Sequence, residues 1–494
     1  MISKKSRKTE IIKDAGLYAG SSYAGTFIDV LNGILMRNLI APASMGVWSF
    51  LQVILSYSKY ATLGTGPALV REIPYLRGKG EFAKADQIKN NVFSWSMMIS
   101  FAAAVAITIY AFIRRSLSPE MKWGLVAIAW ISILQRCFNL YMVLLRAYKS
   151  FRLASFSNFF SSAITLLLTA TVVWKFRFYG LLLGAALGYL ADLLILHFNS
   201  GLRFHFEFDK KILTDLSLFG FSLVAVQVSM TVLRSVDTFV IAKWLNFTAL
   251  GYYSTALMFQ TYLTILPNVA DVVLNPHLFE KAGQTQNHRD LKENVLQPII
   301  AMSCVMPCFV FFSWVGIPWV VGFLMKKYTA GIAAAQILIL STFFLGAARP
   351  VNTYLILLKK HLWMIPITLF AAGISLATNW LLIKGLHHGI ESAAFSTVFS
   401  TGIYFLGIFI LASYFLMPAK DFFKASLKIL GPFFYMLVGV KCLALIPPSG
   451  LSWQRIAAGL AVSALLCVPL LFLMEKETKV VSRCLSILKE KIHS

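Results

Sequence analysis

The sequence predicts an all-α polytopic membrane protein of about 14 transmembrane helices, arranged as two pseudo-symmetric six-helix lobes plus two C-terminal helices. Three observations predict it. Of 494 residues, 58% are hydrophobic and only 13% are charged, with a mean hydropathy of +0.72; soluble domains carry about 25% charge. The apolar runs are about 20 residues long and do not alternate, which suits helices and not barrel strands. The chain also echoes itself. Asp86-Gln87-Ile88-Lys89-Asn90-Asn91-Val92 returns as Arg289-Asp290-Leu291-Lys292-Glu293-Asn294-Val295. Pro67-Ala68-Leu69-Val70-Arg71-Glu72 is answered by Pro276-His277-Leu278-Phe279-Glu280-Lys281, and Gly46-Val47-Trp48-Ser49 by Gly251-Tyr252-Tyr253-Ser254. The offsets fall near roughly 205 residues, the mark of an internal duplication.

In chain order, the first span centres on Gly16–Met36 and is diluted by Ser21, Ser22, Asp29 and Asn32, as suits a helix lining a wet cavity. The second, Gly46–Leu63, carries Lys59 and ends at Gly64. Longer apolar runs give Val92–Phe112, Trp123–Leu145, Ala154–Trp174 and Tyr179–Phe198, the last two parted by Lys175 and Arg177. The second lobe repeats the series as Leu216–Trp244, Leu250–Leu274, Leu296–Ile317, Gly331–Leu358, Leu362–Ile383 and Ile390–Leu416. Leu430–Ile446 and Ile456–Met474 follow. The implied domains are 1–212, 213–418 and, with a basic tail, 419–494.

Charge sets the orientation. With the N-terminus in the cytoplasm, the inner segments hold roughly 29 lysines and arginines and the outer segments roughly 11, a positive-inside bias. An even number of spans returns the basic C-terminus to the same side. The net charge of +24 then faces anionic membrane lipids and calls for no nucleic acid. The basic N-terminus leads into a Gly/Ser-rich segment with no cleavage site, so it does not read as a secretory signal. Both copies of the K-x-N-V element fall in basic loops on one side, which requires an even number of helices per repeat and a pseudo-twofold axis along the membrane normal.

No loop exceeds roughly 25 residues, so no extramembrane catalytic domain is expected. There is no Walker A sequence or Gly-rich nucleotide loop, and His387-His388 lies in a short polar turn. Cys304 and Cys308 share a helix face, but no histidine stands near them in sequence, so free thiols are expected and no metal. These exclusions argue against an enzyme. Duplicated lobes around a central site are a transporter's architecture.

Particular residues then carry a resemblance. They are Asn32-Gly33-Ile34-Leu35-Met36-Arg37 through Ala43-Ser44-Met45-Gly46-Val47-Trp48, and Leu63-Gly64-Thr65-Gly66-Pro67-Ala68-Leu69-Val70-Arg71-Glu72. Their second-lobe counterparts are Asp237-Thr238-Phe239-Val240-Ile241-Ala242 and Ala249-Leu250-Gly251-Tyr252-Tyr253. Asn32 aligns with Asp237 without gaps when Gly46 is set on Gly251. Over nearly its whole length the chain resembles the multidrug/oligosaccharidyl-lipid/polysaccharide flippase superfamily, and most of all its polysaccharide-transporter branch, the Wzx-type O-antigen flippases. The resemblance implies a V-shaped two-lobe bundle with alternating access. It would move a polyprenyl-diphosphate-linked oligosaccharide of the undecaprenyl type across a bacterial cytoplasmic membrane for lipopolysaccharide and other surface polysaccharide synthesis. Polysaccharide assembly proteins would be its partners. The extra helix pair is similar to that of lipid II flippases. The alternative is a cation-coupled multidrug antiporter of the same fold.

Ionisable residues inside spans cost several kcal/mol unless they face a cavity or a partner. Arg234 and Asp237, three apart on one helix, are either a diphosphate-binding arginine held by an acid or a structural ion pair. Arg349 precedes Pro350, which loosens the helix beside Asn352; it faces a changing cavity or snorkels. Lys59 and Arg136 could meet a diphosphate, since guanidinium forks match phosphate oxygens; otherwise Lys59 lies along Tyr57 and Tyr60. Asp29 with Asn32, and Asp271 with Asn268 near Pro267, suit sugar hydroxyls or a coupling H+ or Na+. No other cofactor is expected.

Overall fold

The computed structural model describes residues 20, 24–148, 150–269, 271, 278, 291–445 and 453–478, and every regular element among them is helical. The helices are α1 (24–39), α2 (Pro42–Ser58), α3 (Thr65–Gly78), α4 (Phe82–Ile113), α5 (Pro119–Ala147), α6 (Phe151–Leu168), α7 (Trp174–Ser200), α8 (Lys210–Trp244) and α9 (Phe247–Leu263). They continue as α10 (Lys292–Leu324), α11 (Ile332–Ile339), α12 (Ser341–Leu357), α13 (Met364–Asn379), α14 (Ile390–Leu416), α15 (Ala419–Ala444) and α16 (Trp453–Thr478). Each of the fourteen expected spans meets a helix. Ten helical stretches among the described residues are long and apolar enough to cross a membrane. One of them, Arg152–Ser200, is a hairpin: Arg177 breaks it with φ +53. Residues 16–19 and 21–23 of the first span, 272–274 of the eighth, Ile446, the repeat copy Pro276–Lys281 save Leu278, Arg289-Asp290, Cys484 and the basic ends lie outside the described residues.

Local chemistry sets the breaks. Pro42 and Pro119 open α2 and α5, where a missing N–H costs nothing. Ser118 caps α5 by accepting from the Met121 N–H at 3.3 Å. Glu120, in the first turn of α5, accepts from Ser44 Oγ at 2.8 Å. At the other end of α2 the chain turns through Leu63 and Gly64, both left-handed at φ +50 and +96, before entering α3. That helix was not expected, because Arg71, Glu72 and Arg77 hide its apolar stripe in the sequence. Ala68, Leu69 and Ile73 form the stripe and pack with Val92, Leu140, Leu144 and Leu216.

The chain forms two compact units, Met1–Ala242 with Asn246–Gly251, and Lys243–Leu245 with Tyr252–Ser494. In the first, α4 lies against α5, α5 against α7, and α2 and α3 against α5. Contacts place α8 in this unit. The N-terminal end of α4 holds the segment that follows α7. Three alternate N–H groups of that segment dock on polar side chains: His205 on Asn90 Oδ1 at 3.3 Å, Glu207 on Ser94 Oγ at 2.9 Å, and Asp209 on Asn91 Oδ1. Asn90 Nδ2 returns a bond to Glu207 Oε1 at 2.8 Å, and Phe204 stacks on Phe93 with ring centroids 4.4 Å apart. In the second copy of the echo, Lys292 holds Asp421 at the start of α15. In the first half the repeated element thus fastens the linker that leaves it; in the second it supplies one half-exposed ion pair to α15.

In the second unit α10 is central and touches α11, α12, α15 and α16. Tyr328, Tyr354, Phe311, Phe343 and Phe405 are fully buried there. The two extra helices seat on α10 through glycines. A Cβ on Gly439 would lie 2.6 Å from the Phe311 ring and one on Gly459 2.9 Å from Val315. Ser463 Oγ donates to the Phe311 carbonyl at 3.3 Å. Many large apolar side chains in both units point outward, among them Phe101, Phe112, Phe198, Phe370, Tyr414 and Phe472. In water such a surface would aggregate; in a bilayer it is the solvated face. The protein is a multi-pass membrane protein.

Candidate functional site

Three polar constellations lie inside these apolar bundles. The first is in the first unit. A cavity of about 320 Å³ is lined by Gly25, Thr26 and Asp29 of α1, Phe138 of α5, and Asn158, Ser161, Ser162 and Thr165 of α6. The four α6 residues are spaced 0, 3, 4 and 7, so they share one helix face. Ser162 donates to the Asp29 carboxylate. Ser161 Oγ donates to Asp192 Oδ2 of α7 at 2.7 Å. Asp192 is buried, and its Oδ1 has no partner among the described residues. Nearby, Gln135 donates to the Tyr189 hydroxyl at 2.9 Å. Asn32, one turn beyond Asp29, is buried with its Oδ1 unpartnered among the described residues. The serines and Asn158 were not singled out from the sequence, although their i, i+3, i+4, i+7 spacing is visible there.

The second constellation is the seam of α2 with α8, also in the first unit. Tyr57 OH bonds Ser235 Oγ at 2.7 Å, and Tyr60 OH bonds Thr231 Oγ1 at 2.6 Å. The Lys59 ammonium stands over the Tyr60 ring, 4.9 Å from its centroid. Arg136 reaches from α5 to the end of α2. Its Nη1 donates to the Lys59 carbonyl at 2.7 Å and its Nη2 to the Ser58 carbonyl. The guanidinium fork therefore closes the carbonyl end of α2, favoured there by the helix dipole as well. Arg234 is exposed on α8 while Asp237 is buried, its Oδ1 accepting from the Thr238 N–H at 2.8 Å. The structure thus brings Lys59 and Arg136 together, through a main-chain carbonyl, and sets Arg234 one turn from the residues that Tyr57 and Tyr60 hold.

Two glycine contacts bound this seam. A Cβ on Gly46 would lie 1.8 Å from the Phe247 carbonyl oxygen, and one on Gly251 1.8 Å from that of Pro42. Pro42 and Gly46 are related to Phe247 and Gly251 by the same repeat offset, so the duplication meets itself reciprocally. At the far end of α2 a Cβ on Gly220 would lie 2.0 Å from the Gly64 carbonyl oxygen. Only glycine permits either approach.

The third constellation is in the second unit. Thr353 Oγ1 donates to Asp271 Oδ1 at 3.0 Å. Arg349 lies four residues before Thr353 on α12, hence on the same face, half-buried and without an ion pair among the described residues. Pro350 interrupts the helix between them. Asn352 Oδ1 accepts from the Tyr404 hydroxyl of α14 at 2.8 Å, and Asn268 Oδ1 is buried without a partner among the described residues. The structure thus joins Asp271 to α12 at Thr353, one turn from Arg349. Thr353 and Tyr404, the partners of Asp271 and Asn352, carry no signal in the sequence. No group of three or more metal-ligating side chains occurs among the described residues.

Three polar clusters thus lie inside membrane-length helices, and the fold is the one seen in solved structures of the multidrug/oligosaccharidyl-lipid/polysaccharide superfamily. The structure resembles the lipid II flippase MurJ in an inward closed conformation at TM-score 0.69 and 13% identity, covering 93% of this chain and 99% of that one. It resembles a multidrug resistance MATE transporter in an inward-facing conformation at TM-score 0.65 and 14% identity, over 87% and 99%. A superfamily transporter from Pyrococcus furiosus gives TM-score 0.59 and 14% identity, over 84% and 96%. Residues 34–333 match the polysaccharide biosynthesis protein family, and the chain belongs to it. No curated protein matches the sequence. These findings bear out the superfamily and fold resemblance read from the sequence.

Proposed function

We propose that this protein is a flippase that carries a polyprenyl-diphosphate-linked oligosaccharide, of the undecaprenyl type, from the inner to the outer leaflet of a bacterial cytoplasmic membrane. The product would serve lipopolysaccharide O-antigen or related surface polysaccharide synthesis, with polysaccharide assembly proteins as partners. Both termini would be cytoplasmic. Membership of the polysaccharide biosynthesis protein family carries the reading. The relatives in fold support transport as the activity in place of catalysis.

The cationic groups suit a diphosphate. Arg234 is exposed beside the α2 seam, and Arg349 is half-buried without an ion pair among the described residues. An arginine fork binds phosphate oxygens in a bidentate manner. Asn32, Asn352 and Asp237 would meet sugar hydroxyls, while Lys59 and Arg136 hold the end of α2 that borders the path. Keeping the glycan in a polar path avoids about 1–3 kcal/mol for each hydroxyl left unpaired in hydrocarbon. The prenyl tail would stay in lipid. The repeats 1–212 and 213–418 would rock against each other, with 419–494 as an appended pair.

The cavity at Asp29 would take the coupling H+ or Na+, since it offers a carboxylate and hydroxyls in one small space, with Asp192 bonded to one of those hydroxyls from α7; Asp271 with Thr353 is the corresponding second-unit candidate. That same pocket favours a second reading, a cation-coupled multidrug antiporter.

The test is a flip assay in proteoliposomes with a fluorescent polyprenyl-diphosphate disaccharide and this protein alone. Translocation is expected, with loss in Arg234→Ala and in Arg349→Ala at unchanged insertion. Unimpaired translocation in both variants would overturn the cationic assignments. Absence of translocation even under a proton or sodium gradient, with drug-driven cation flux that Asp29→Asn removes, would establish the antiporter.

A further inference from the structure

A second cavity in the first unit, of about 480 Å³, belongs to none of these constellations. Its floor is one face of the start of α8: Lys210, Leu213, Thr214, Ser217, Leu218 and Phe221, at spacings of 3, 1, 3, 1 and 3. Trp95 of α4 and Phe208 form its sides, their rings 6.2 Å apart, and Leu63 of the left-handed turn closes one end. The lining is almost wholly apolar. Leu218, Phe221 and Phe208 are more than half exposed, so the groove opens outward.

Its level is defined. On α8, Asp215 is the last charged residue before an uncharged run that continues to Arg234. On α4, Lys89, Asn90 and Asn91 precede the apolar run that starts at Val92, and Trp95 lies one turn inside it. The groove therefore spans the boundary between headgroups and hydrocarbon on the side of the basic loops.

Two polar groups in it have no protein partner among the described residues. Trp95 Nε1 is buried and donates to nothing. Lys210 makes no ion pair among the described residues. Glu207 accepts from Asn90, and Asp209 Oδ1 accepts from the Lys211 and Ile212 N–H groups at the start of α8. An apolar trough with an indole donor part-way along and a free ammonium at its mouth complements an ester-linked chain with a phosphate at its end.

We infer that this groove binds an anionic glycerophospholipid of the leaflet at the basic loops, with one acyl chain along Leu213, Leu218 and Phe221, an ester carbonyl accepting from Trp95 Nε1, and the phosphate at Lys210. A lipid seated there packs against Leu63, whose turn carries Gly64 against Gly220, so its occupancy bears on one end of the α2 seam. The inference does not depend on which cargo the protein moves.

The experiment uses the full chain in phosphatidylcholine vesicles, titrated with phosphatidylglycerol brominated in its acyl chains, against brominated phosphatidylcholine. Bromine quenches indole fluorescence on contact. The wild-type signal minus that of Trp95→Phe isolates Trp95 from the other tryptophans. The Trp95 component is expected to be quenched at about fivefold lower mole fraction of the anionic lipid, the equivalent of about 1 kcal/mol for one lysine at a charged leaflet. Lys210→Gln should remove that preference and keep the quenching. Ser217→Phe, which fills the trough and keeps Trp95, should remove the quenching by both lipids. Equal quenching by the two headgroups in the wild type, a preference that survives Lys210→Gln, or a Trp95 component that neither lipid quenches would each overturn the inference.

Discussion

Replacing Gly251 with alanine puts a methyl group 1.8 Å from the Pro42 carbonyl oxygen. Backbone cannot yield as a side-chain tip can, so α2 and α9 must part. Reaching the 3.4 Å of ordinary contact takes about 1.6 Å of separation. Overpacking of this kind costs about 2 kcal/mol, and at 1.4 kcal/mol per tenfold the arrangement with the helices crossed loses about 30-fold in population against any arrangement with them apart. Val47, one residue past Gly46 and only 4% exposed, reports the change. In a background with the native cysteines replaced, the maleimide modification rate of Val47→Cys should rise by about an order of magnitude or more when Gly251→Ala is added. Gly46→Ala should not be combined with that neighbouring reporter; with a reporter on the α9 side it should act alike, because the contact is reciprocal. Gly220→Ala, at the other end of α2, should leave the Val47→Cys rate unchanged. An unaltered rate in Gly251→Ala, in protein that melts at the wild-type temperature, would show that the crossing is not held by this approach and would refute the reasoning.

Other consequences are as direct. Arg136→Met should lower thermal stability, by about 2–4 kcal/mol, since it strips the Ser58 and Lys59 carbonyls of their donors; Arg136→Lys should restore little, because an ammonium cannot serve both carbonyls with a planar fork. Asn90→Ala removes one acceptor and one donor from the segment after α7, so limited proteolysis between Gly201 and Asp209 should speed up several-fold, at a local cost of about 1–2 kcal/mol. Gly439→Leu should push α15 off Phe311 at a cost of about 1–3 kcal/mol, read as a lowered melting temperature, whereas Gly431→Leu, with open space around it, should not.

The spans were legible because a bilayer imposes its own ruler: an apolar run of about 20 residues has few alternatives. The repeat sets Gly46 on Gly251 in sequence, but that each packs against the other's segment was not legible, because an alignment of repeats places no contact. Helix α3 was not, because a helix with three charges in its first thirteen residues reads as a loop unless its stripe of Ala68, Leu69 and Ile73 is tested at helical spacing. The individual charges were legible as conspicuous, but their surroundings were not. Arg136 is held by main-chain carbonyls, which leave no mark in a sequence. Asp271 meets α12 through Thr353, 82 residues away, and a lone threonine in an apolar helix draws no notice. Ser161 and Asp192 join two helices whose parting at Lys175 and Arg177 was legible, but a serine 31 residues from its acid gives no sign that the two meet.

The fastener at Asn90-Asn91 bears on how such a chain can be rebuilt. The first half binds the segment that exits it with Asn90, Asn91 and Ser94 of α4, so the path of the outgoing chain is written inside that half. A hybrid spliced just after Asp209 would therefore inherit a properly anchored exit from one parent and could accept a foreign continuation from another. Exchange at this point would preserve the anchor of the outgoing segment, but the seam of α2 with α8, held by Tyr57 on Ser235 and Tyr60 on Thr231, would have to be matched across the splice.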